Sequence, residues 1–265
     1  MKICMAGACG RMGRRILEMV ATTEDMTVGG AFDLPQNAGM ELIVTAEGGA
    51  AQTIVVGSDA ATEIAQSDIM IDFTLAEACL PNVRLASEQG IPSVLGATGL
   101  SEEQVTELEA LAQKAPIVYA PNMSVGVNLL FKFTGEVAAV LGLDYNVEIV
   151  EIHHNQKKDS PSGTAVRLAE RAAESLGLDY NKDVAHGREG MVGTRPRAEI
   201  GIHALRGGDV VGEHTVSFVG QGERIELTHK AHNRDNFARG ALIAARFAAK
   251  AAPGLYDMQD VLGLK

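Results

Sequence analysis

Short apolar runs alternate with helical periodicity through the first half of the chain. Lys2 to Ala6 (KICMA) leads into a glycine-rich turn, Gly7-Ala8-Cys9-Gly10-Arg11-Met12-Gly13, and then into Arg14 to Val20 at helical spacing. A second apolar run spans Met26 to Phe32, and Ile69 to Phe73, Ser93 to Leu95 and Ile117 to Tyr119 follow, each separated by a helical pattern. This alternation predicts an α/β fold, a mostly parallel, doubly wound, Rossmann-like sheet. The stretch from Gly39 to Gly57, rich in Gly and Ala, reads as a loop or irregular excursion.

From Ser124 the pattern changes. A long helical stretch, Val127 to Leu141, precedes strands at Asn146 to His154, Arg197 to Leu205, Val210 to Val219 and Arg224 to Lys230. Arg206-Gly207-Gly208-Asp209 and Gly220-Gln221-Gly222-Glu223 read as hairpin signals, so neighbouring strands are expected to be antiparallel. The second part is thus α+β, with its main helix after Pro161 and one sheet face left for cover by another subunit. The closing helix, Asp235 to Ala251, is expected to pack back on the first part. The expected domains are residues 1–124 plus 234–265, and residues 125–233.

Composition narrows the ligands. With 265 residues and 46% apolar content the chain buries a large core, as one large domain or two moderate ones. Its 23 Lys plus Arg against 34 Asp plus Glu, a net charge of -11, argue against nucleic acid and anionic membranes. An anionic ligand must therefore meet local positive potential. Cys4, Cys9 and Cys79 lack metal or disulfide spacing, which fits a reduced compartment. No signal-peptide core precedes the glycine turn, and no uncharged apolar run approaches membrane-spanning length, so a cytoplasmic protein is expected.

The glycine turn follows G-x-x-G-x-x-G between strand and helix, where glycines admit a pyrophosphate and the helix N-terminus supplies N–H groups. Asp33 lies 20 residues beyond Gly13, the place of an acid on the adenosine ribose, although a turn Asp before Pro35 has the same appearance. Leu34 follows where an arginine would meet a 2′-phosphate, which favours NADH over NADPH. Arg11, Arg14 and Arg15 either reach such a phosphate or are solvated helix charges. The later runs end in Asp72-Phe73-Thr74, Gly96-Ala97-Thr98-Gly99 and Ala120-Pro121-Asn122-Met123, and open α/β sheets bind ligands at such strand ends.

The densest chemistry lies in Glu151-Ile152-His153-His154-Asn155-Gln156-Lys157-Lys158-Asp159-Ser160-Pro161-Ser162-Gly163-Thr164-Ala165. On a strand His153 and His154 point to opposite faces, so they do not share a role, and either can be a hydrogen-bonded core histidine. Lys157 and Lys158 are either a solvated pair or the local charge. No third ligand at metal spacing accompanies them, although Glu151 and Asp159 are near, so no metal is expected. Pro161 suits the first residue of a helix capped by Ser160. The N–H groups of Ser162, Gly163 and Thr164 then form a carboxylate cradle beside Lys157.

This stretch closely resembles the signature E-x-H-H-x-x-K-x-D-x-P-S-G-T-A of the 4-hydroxy-tetrahydrodipicolinate (dihydrodipicolinate) reductase family. Gly7 to Gly13, Asp72-Phe73-Thr74, Gly96 to Gly99, Ala120 to Asn128 and Thr228-His229-Lys230-Ala231 extend the resemblance over nearly the whole chain. Ala97, Met123, Ser160 and the pair Asp33-Leu34 depart from common family residues, the last putting NADPH use in question. The resemblance implies hydride transfer from NADH or NADPH to a small dicarboxylate imine on the diaminopimelate route to lysine. It implies cofactor contacts from Gly7, Ala8, Cys9, Gly10, Arg11, Met12, Asp33, Gly96, Ala97, Thr98, Ala120, Pro121, Asn122 and Met123. His153 would donate or accept a proton and Lys157 would donate one. His154, Lys157, Ser162, Gly163, Thr164 and Thr98 would contact substrate. It further implies a cofactor domain (1–124 plus 234–265) and a substrate domain (125–233) that close over ligand, and a homotetramer built through the second domain's sheet. Another two-domain dehydrogenase of amino-acid metabolism, or a silent dinucleotide sensor, shares the N-terminal half but has no need of the His-His-x-x-Lys run.

Overall fold

The computed structural model describes residues 1–45 and 51–265. The chain runs β1 (Lys2–Ala6), α1 (Arg11–Ala21), β2 (Thr27–Phe32), β3 (Glu41–Thr45), β4 (Ala51–Val55), α2 (Ala60–Ala65), β5 (Ile69–Asp72), α3 (Ala76–Glu88), β6 (Ser93–Leu95), α4 (Glu102–Leu111) and β7 (Pro116–Tyr119). It continues through α5 (Val125–Leu141), β8 (Asn146–His153), α6 (Gly163–Leu176), α7 (Tyr180–Asp183), β9 (Val184–His186), β10 (Ile200–Arg206), β11 (Gly212–Val219) and β12 (Arg224–Ala231). It ends with α8 (Asp235–Ala248), β13 (Gly254–Tyr256) and α9 (Met258–Val261). Two compact units result, Met1–Val125 with Arg234–Lys265, and Gly126–Asn233.

The first unit is built on a parallel sheet in the order β13-β7-β6-β5-β1-β2. From β1 the chain steps one way to β2 and later the other way through β5, β6 and β7, so a crevice opens at the carboxyl ends of β1 and β5. Central strands are buried on both faces: Ile3, Cys4, Met5 and Ala6 are all fully inaccessible. One face is covered by α1 and α8, whose Ile16, Leu17, Val20, Ala241, Leu242 and Ala245 share a core. Leu80, Val83 and Leu108 of α3 and α4 pack on the other. Small residues let α8 approach closely. A Cβ on Gly240 would lie 1.7 Å from the carbonyl oxygen of Met123.

The stretch from Gly39 to Gly57 is not irregular throughout. β3 and β4 form an antiparallel pair, and Leu42, Val44 and Ile54 enter the core while Ile43 stays exposed. Burial alternates from Glu41 to Thr45 as in a half-buried strand, but the sequence there is a contiguous apolar triplet, Leu42-Ile43-Val44, too short beside the surrounding Gly and Ala to mark a strand. Residues 46–50 of that stretch lie outside the described residues.

In the second unit the sheet order is β12-β11-β8-β10-β9. The β11–β12 hairpin around Gly220 to Glu223 is antiparallel. The expected hairpin at Arg206 to Asp209 does not form, because β8 lies between β10 and β11, pairing parallel with the first and antiparallel with the second. The crossover through α6 makes this possible: a strand, helix and strand in sequence favour parallel pairing. α5 and α6 cover one face, where Val127, Leu130, Leu168, Ala172, Ile149, Ile202, Val216 and Phe218 form the core. Val150, Leu205 and Val219 stay accessible on the strands.

No uncharged run of spanning length was expected, and Val125–Asp144 is a charged one: a helical stretch of 20 residues with mean hydropathy 1.4, long and apolar enough to cross a membrane by those criteria. A core helix passes the same test. This one carries Lys132 and Glu136, an ion pair, and buries Val127, Leu130, Phe131 and Ala138 in the second unit's core.

Candidate active site

In the first unit the chemistry gathers at the carboxyl ends of β1, β2 and β5. Gly7 has φ +79°, a conformation that suits glycine, and a Cβ on Gly13 would lie 2.1 Å from the Gly7 carbonyl oxygen. The turn therefore packs directly on α1. That helix has Gly10 as its N-cap, without a side-chain cap bond, and carries no acidic residue in its first turn, so its N–H groups and dipole favour an anion. A cavity of about 590 Å³ adjoins it, lined by Gly7, Cys9, Gly10, Asp33, Leu34, Phe73 and Thr74. Its mixture of a glycine turn, an open helix terminus, an acid and apolar walls fits a dinucleotide.

Asp33 accepts hydrogen bonds from the Cys9 N–H at 2.9 Å, the Leu34 N–H at 2.8 Å and the Asn37 side-chain amide at 2.7 Å. It is thus both a turn acid and a wall of the cavity. Arg15 is drawn away by Asp235 and Glu18. Arg14 stays beside the turn, donating to the Cys9 carbonyl at 3.1 Å, and Arg11 is exposed. Asp72 is buried and accepts from Thr74 N–H, Thr74 Oγ1 and Asn82 Nδ2, so it shapes the loop after β5; burial pushes its carboxyl up despite these bonds. Ala8, Ala97 and Ala120 are buried and offer ligands backbone rather than side chain, whereas Thr98 is exposed. Gly96 is obligatory, since a Cβ there would lie 2.3 Å from the Phe73 ring. Asn122 accepts from the Ser124 N–H, and the Met123 side chain belongs to the core. Met12 packs partly buried against it, and Pro121 is exposed. A larger cavity, about 1170 Å³, lies between α1 and α8, but its Arg15, Asp235 and Arg246 are already paired, and it holds none of these strand ends.

In the second unit the alternation of β8 directs Val147, Ile149, Glu151 and His153 to the helix-covered face. Glu151 is fully buried and lies 2.6 Å from His153 Nδ1. Two nitrogens of Arg206 donate to its carboxylate at 2.8 and 2.9 Å, and the Ser162 N–H donates at 3.0 Å. Burial alone would raise this carboxyl, but the hydrogen bonds from His153, Arg206 and Ser162 outweigh it and hold its pKa down at about 2. Glu151 is therefore an ionised acceptor, and His153 presents Nδ1–H to it and keeps Nε2 for other work. A Cβ on Gly212 would lie 2.9 Å from that Nε2, so Gly212 makes the room for it.

The helix after this strand starts later than expected. α6 begins at Gly163 with Ser162, not Ser160, as its N-cap: Ser162 Oγ accepts from the Ala165 N–H at 3.1 Å. Both serines suit a cap, and the tie is broken by Glu151, which takes the Ser162 N–H. That N–H is thereby removed from the expected cradle. Gly163 and Thr164 remain in the first turn, again without an acid, and the space above Gly163 is open. Lys157 Nζ pairs with Asp159 at 2.9 Å and is mostly covered. His154 lies just past the strand end, partly exposed, with its N–H on the Val210 carbonyl and its own carbonyl accepting from the Lys157 N–H. Among the described residues no group of three His, Cys, Asp or Glu is arranged to hold a metal.

Arg206 and His214 were not evident in the sequence. Arg206 looked like the corner of a hairpin, and it is the parallel register Arg206 with His153 that brings it to Glu151. His214 enters from β11, opposite Glu151, and its Nε2 lies 2.9 Å from Ser162 Oγ. The available signal was the spacing Glu151-x-His153, which puts both on one face of a strand.

Comparison with known proteins covers both units. Residues 1–123 match the family model "Dihydrodipicolinate reductase, N-terminus" and residues 126–262 match "Dihydrodipicolinate reductase, C-terminus". The chain is 49% identical over 266 residues to a 4-hydroxy-tetrahydrodipicolinate reductase of Syntrophotalea carbinolica, covering 100% of this chain and 99% of the relative. It is also 49% identical over 263 residues to the same-named protein of an Anaeromyxobacter species, covering 99% and 98%. Among solved structures it is similar to a dipicolinate-bound dihydrodipicolinate reductase from Paenisporosarcina sp. TG-14, with TM-score 0.78, 25% identity and 98% of each chain covered.

Proposed function

Since the chain belongs to the dihydrodipicolinate reductase family, NAD(P)H-dependent oxidoreductases of diaminopimelate and lysine synthesis, we propose that it reduces 4-hydroxy-tetrahydrodipicolinate, a small dicarboxylate, with NADH as its preferred cofactor. The observation that carries the substrate assignment is His153, an imidazole held by an ionised, buried Glu151 a few residues from a helix terminus without acid and from Lys157.

The reduced nicotinamide supplies the hydride when bound. The chain's own residues do the rest. The glycine turn from Gly7 to Gly13 and the N-terminus of α1 hold the pyrophosphate, with Ala8, Cys9, Arg11 and Met12 around it. Gly96, Ala97, Thr98, Ala120, Pro121, Asn122 and Met123 would hold the nicotinamide end. Asp33 receives the ribose hydroxyls, and its charge opposes a 2′-phosphate while Leu34 gives that phosphate no cation, which supports NADH.

On the substrate side, Gly163, Thr164 and His154 bind the carboxylates, assisted by Thr98 and by Lys157, with Ser162 setting the helix terminus as its cap. Hydride addition builds electron density on the ring. A lysine ammonium beside it stabilises that charge and donates a proton, and His153 Nε2 holds or relays the proton. The second unit thus serves substrate binding and the first serves the cofactor. The accessible Val150, Leu205 and Val219 support assembly through the second unit's sheet into a homotetramer, and the free cysteines and acidic charge support a cytoplasmic setting.

The test is turnover of freshly generated 4-hydroxy-tetrahydrodipicolinate, followed by loss of NADH and, separately, NADPH absorbance. NADH-favoured turnover is expected. Failure with both nucleotides overturns the reading, and an NADPH preference overturns the role given to Asp33.

A further inference from the structure

His214 is the feature of the second unit that no role above explains. It is 3% exposed, its ring meets that of His153 edge to face at 5.1 Å, and its Nε2 lies 2.9 Å from Ser162 Oγ. The Ser162 contact is open to either tautomer, because a hydroxyl has one proton and two acceptor lone pairs. The Ser162 oxygen accepts from the Ala165 N–H, and where its single proton goes to His214 Nε2 that nitrogen is an acceptor. A neutral ring of that kind carries its proton on Nδ1, and Nδ1 is buried without a hydrogen-bond partner among the described residues. Burial first, then His153, His229 and Lys157, push this imidazole down to about 3 against the opposing pull of Glu151, so it is uncharged at working pH.

A neutral imidazole whose proton faces no acceptor is a poor acid or base. Its position makes it useful in another way. It lies opposite Glu151 on the neighbouring strand and touches both the residue that caps α6 and the ring that Glu151 holds. We propose that His214 is a positioning residue, wedging His153 into the orientation that donates Nδ1–H to Glu151 while it takes the Ser162 proton, and so joining the acid and the anion-binding terminus of α6 into one rigid piece. An unpartnered buried Nδ1–H is costly, and packing that binds two working groups is a reason to retain it.

The proposal rests on the reductase reading, and its tests separate the two. In the unaltered chain, nitrogen NMR of the imidazoles is expected to show His214 with its proton on Nδ1 across neutral pH; a proton on Nε2, or a cationic ring, overturns the proposal whether or not the chain turns over substrate. His214→Phe keeps the ring and removes the acceptor, whereas His214→Gln keeps an acceptor and removes the ring. His214→Phe is expected to weaken dipicolinate binding by about fivefold, and His214→Gln to restore that binding while kcat stays about tenfold low and the pH profile of kcat moves. NADH affinity should be unchanged in both. If both variants retain kcat, its pH profile and dipicolinate affinity within about twofold, His214 is packing only, and the idea fails. If neither variant folds, the NMR result on the unaltered chain decides.

Discussion

Glu151 and His153 face each other at 2.6 Å on the same side of one strand, and the carboxylate of the pair is closed in by Arg206 and the Ser162 N–H. An ionised group in that position holds local structure together as well as orienting the imidazole.

Glu151→Gln should therefore lose both. Removing one partner of a buried pair leaves Arg206 uncompensated and should cost about 3 kcal/mol or more in denaturant unfolding. In the unaltered chain the depressed carboxyl gives stability that is fully present above its ordinary value of 4.5 and is lost as pH falls toward about 2. The variant should show a flatter acid limb, by roughly 3 kcal/mol at most across that window. An acid limb identical to the parent's would refute the assignment.

Lys157→Ala should lower kcat by about a hundredfold or more while NADH affinity, read by fluorescence, shifts less than about threefold. A normal kcat with weakened cofactor binding would contradict a role at the substrate.

Leu34→Arg should raise kcat/KM for NADPH relative to NADH by about tenfold, because a guanidinium then stands where a 2′-phosphate would lie. No change would mean that the preference is set by something other than Asp33 and its neighbour.

Two glycines should part company. Gly240→Ala places a methyl 1.7 Å from the Met123 carbonyl and should destabilise by about 2 kcal/mol or more, seen as a lower Tm. Gly163→Ala meets open space and should leave Tm unchanged while raising KM for substrate several-fold. Equal Tm values for the two variants would contradict the close approach of α8.

Much of this was legible in the chain. Apolar runs separated by helical periodicity are a local property, so the parallel sheet and its order of elements could be read from β1 to β7. The glycine turn and the His-His-x-x-Lys stretch could be read the same way, since each is contiguous. The strand β3 was hidden because three contiguous apolar residues, Leu42 to Val44, among Gly and Ala carry no period-two signal.

What the sequence determined by itself was the class of fold, the small-residue turns at the strand ends and the stretch that holds Glu151 and His153 on one strand face. The tertiary structure alone decided the surroundings of that acid. Arg206 stands 55 residues from Glu151, and His214 stands 52 from Ser162. They meet because β8 takes the centre of its sheet, between β10 and β11. Periodicity tells a strand which face is buried but not which strands flank it, and a hairpin signal after β10 pointed to the wrong neighbour. The same holds for the cap of α6, where two serines were equally fit and a carboxylate from another element chose Ser162.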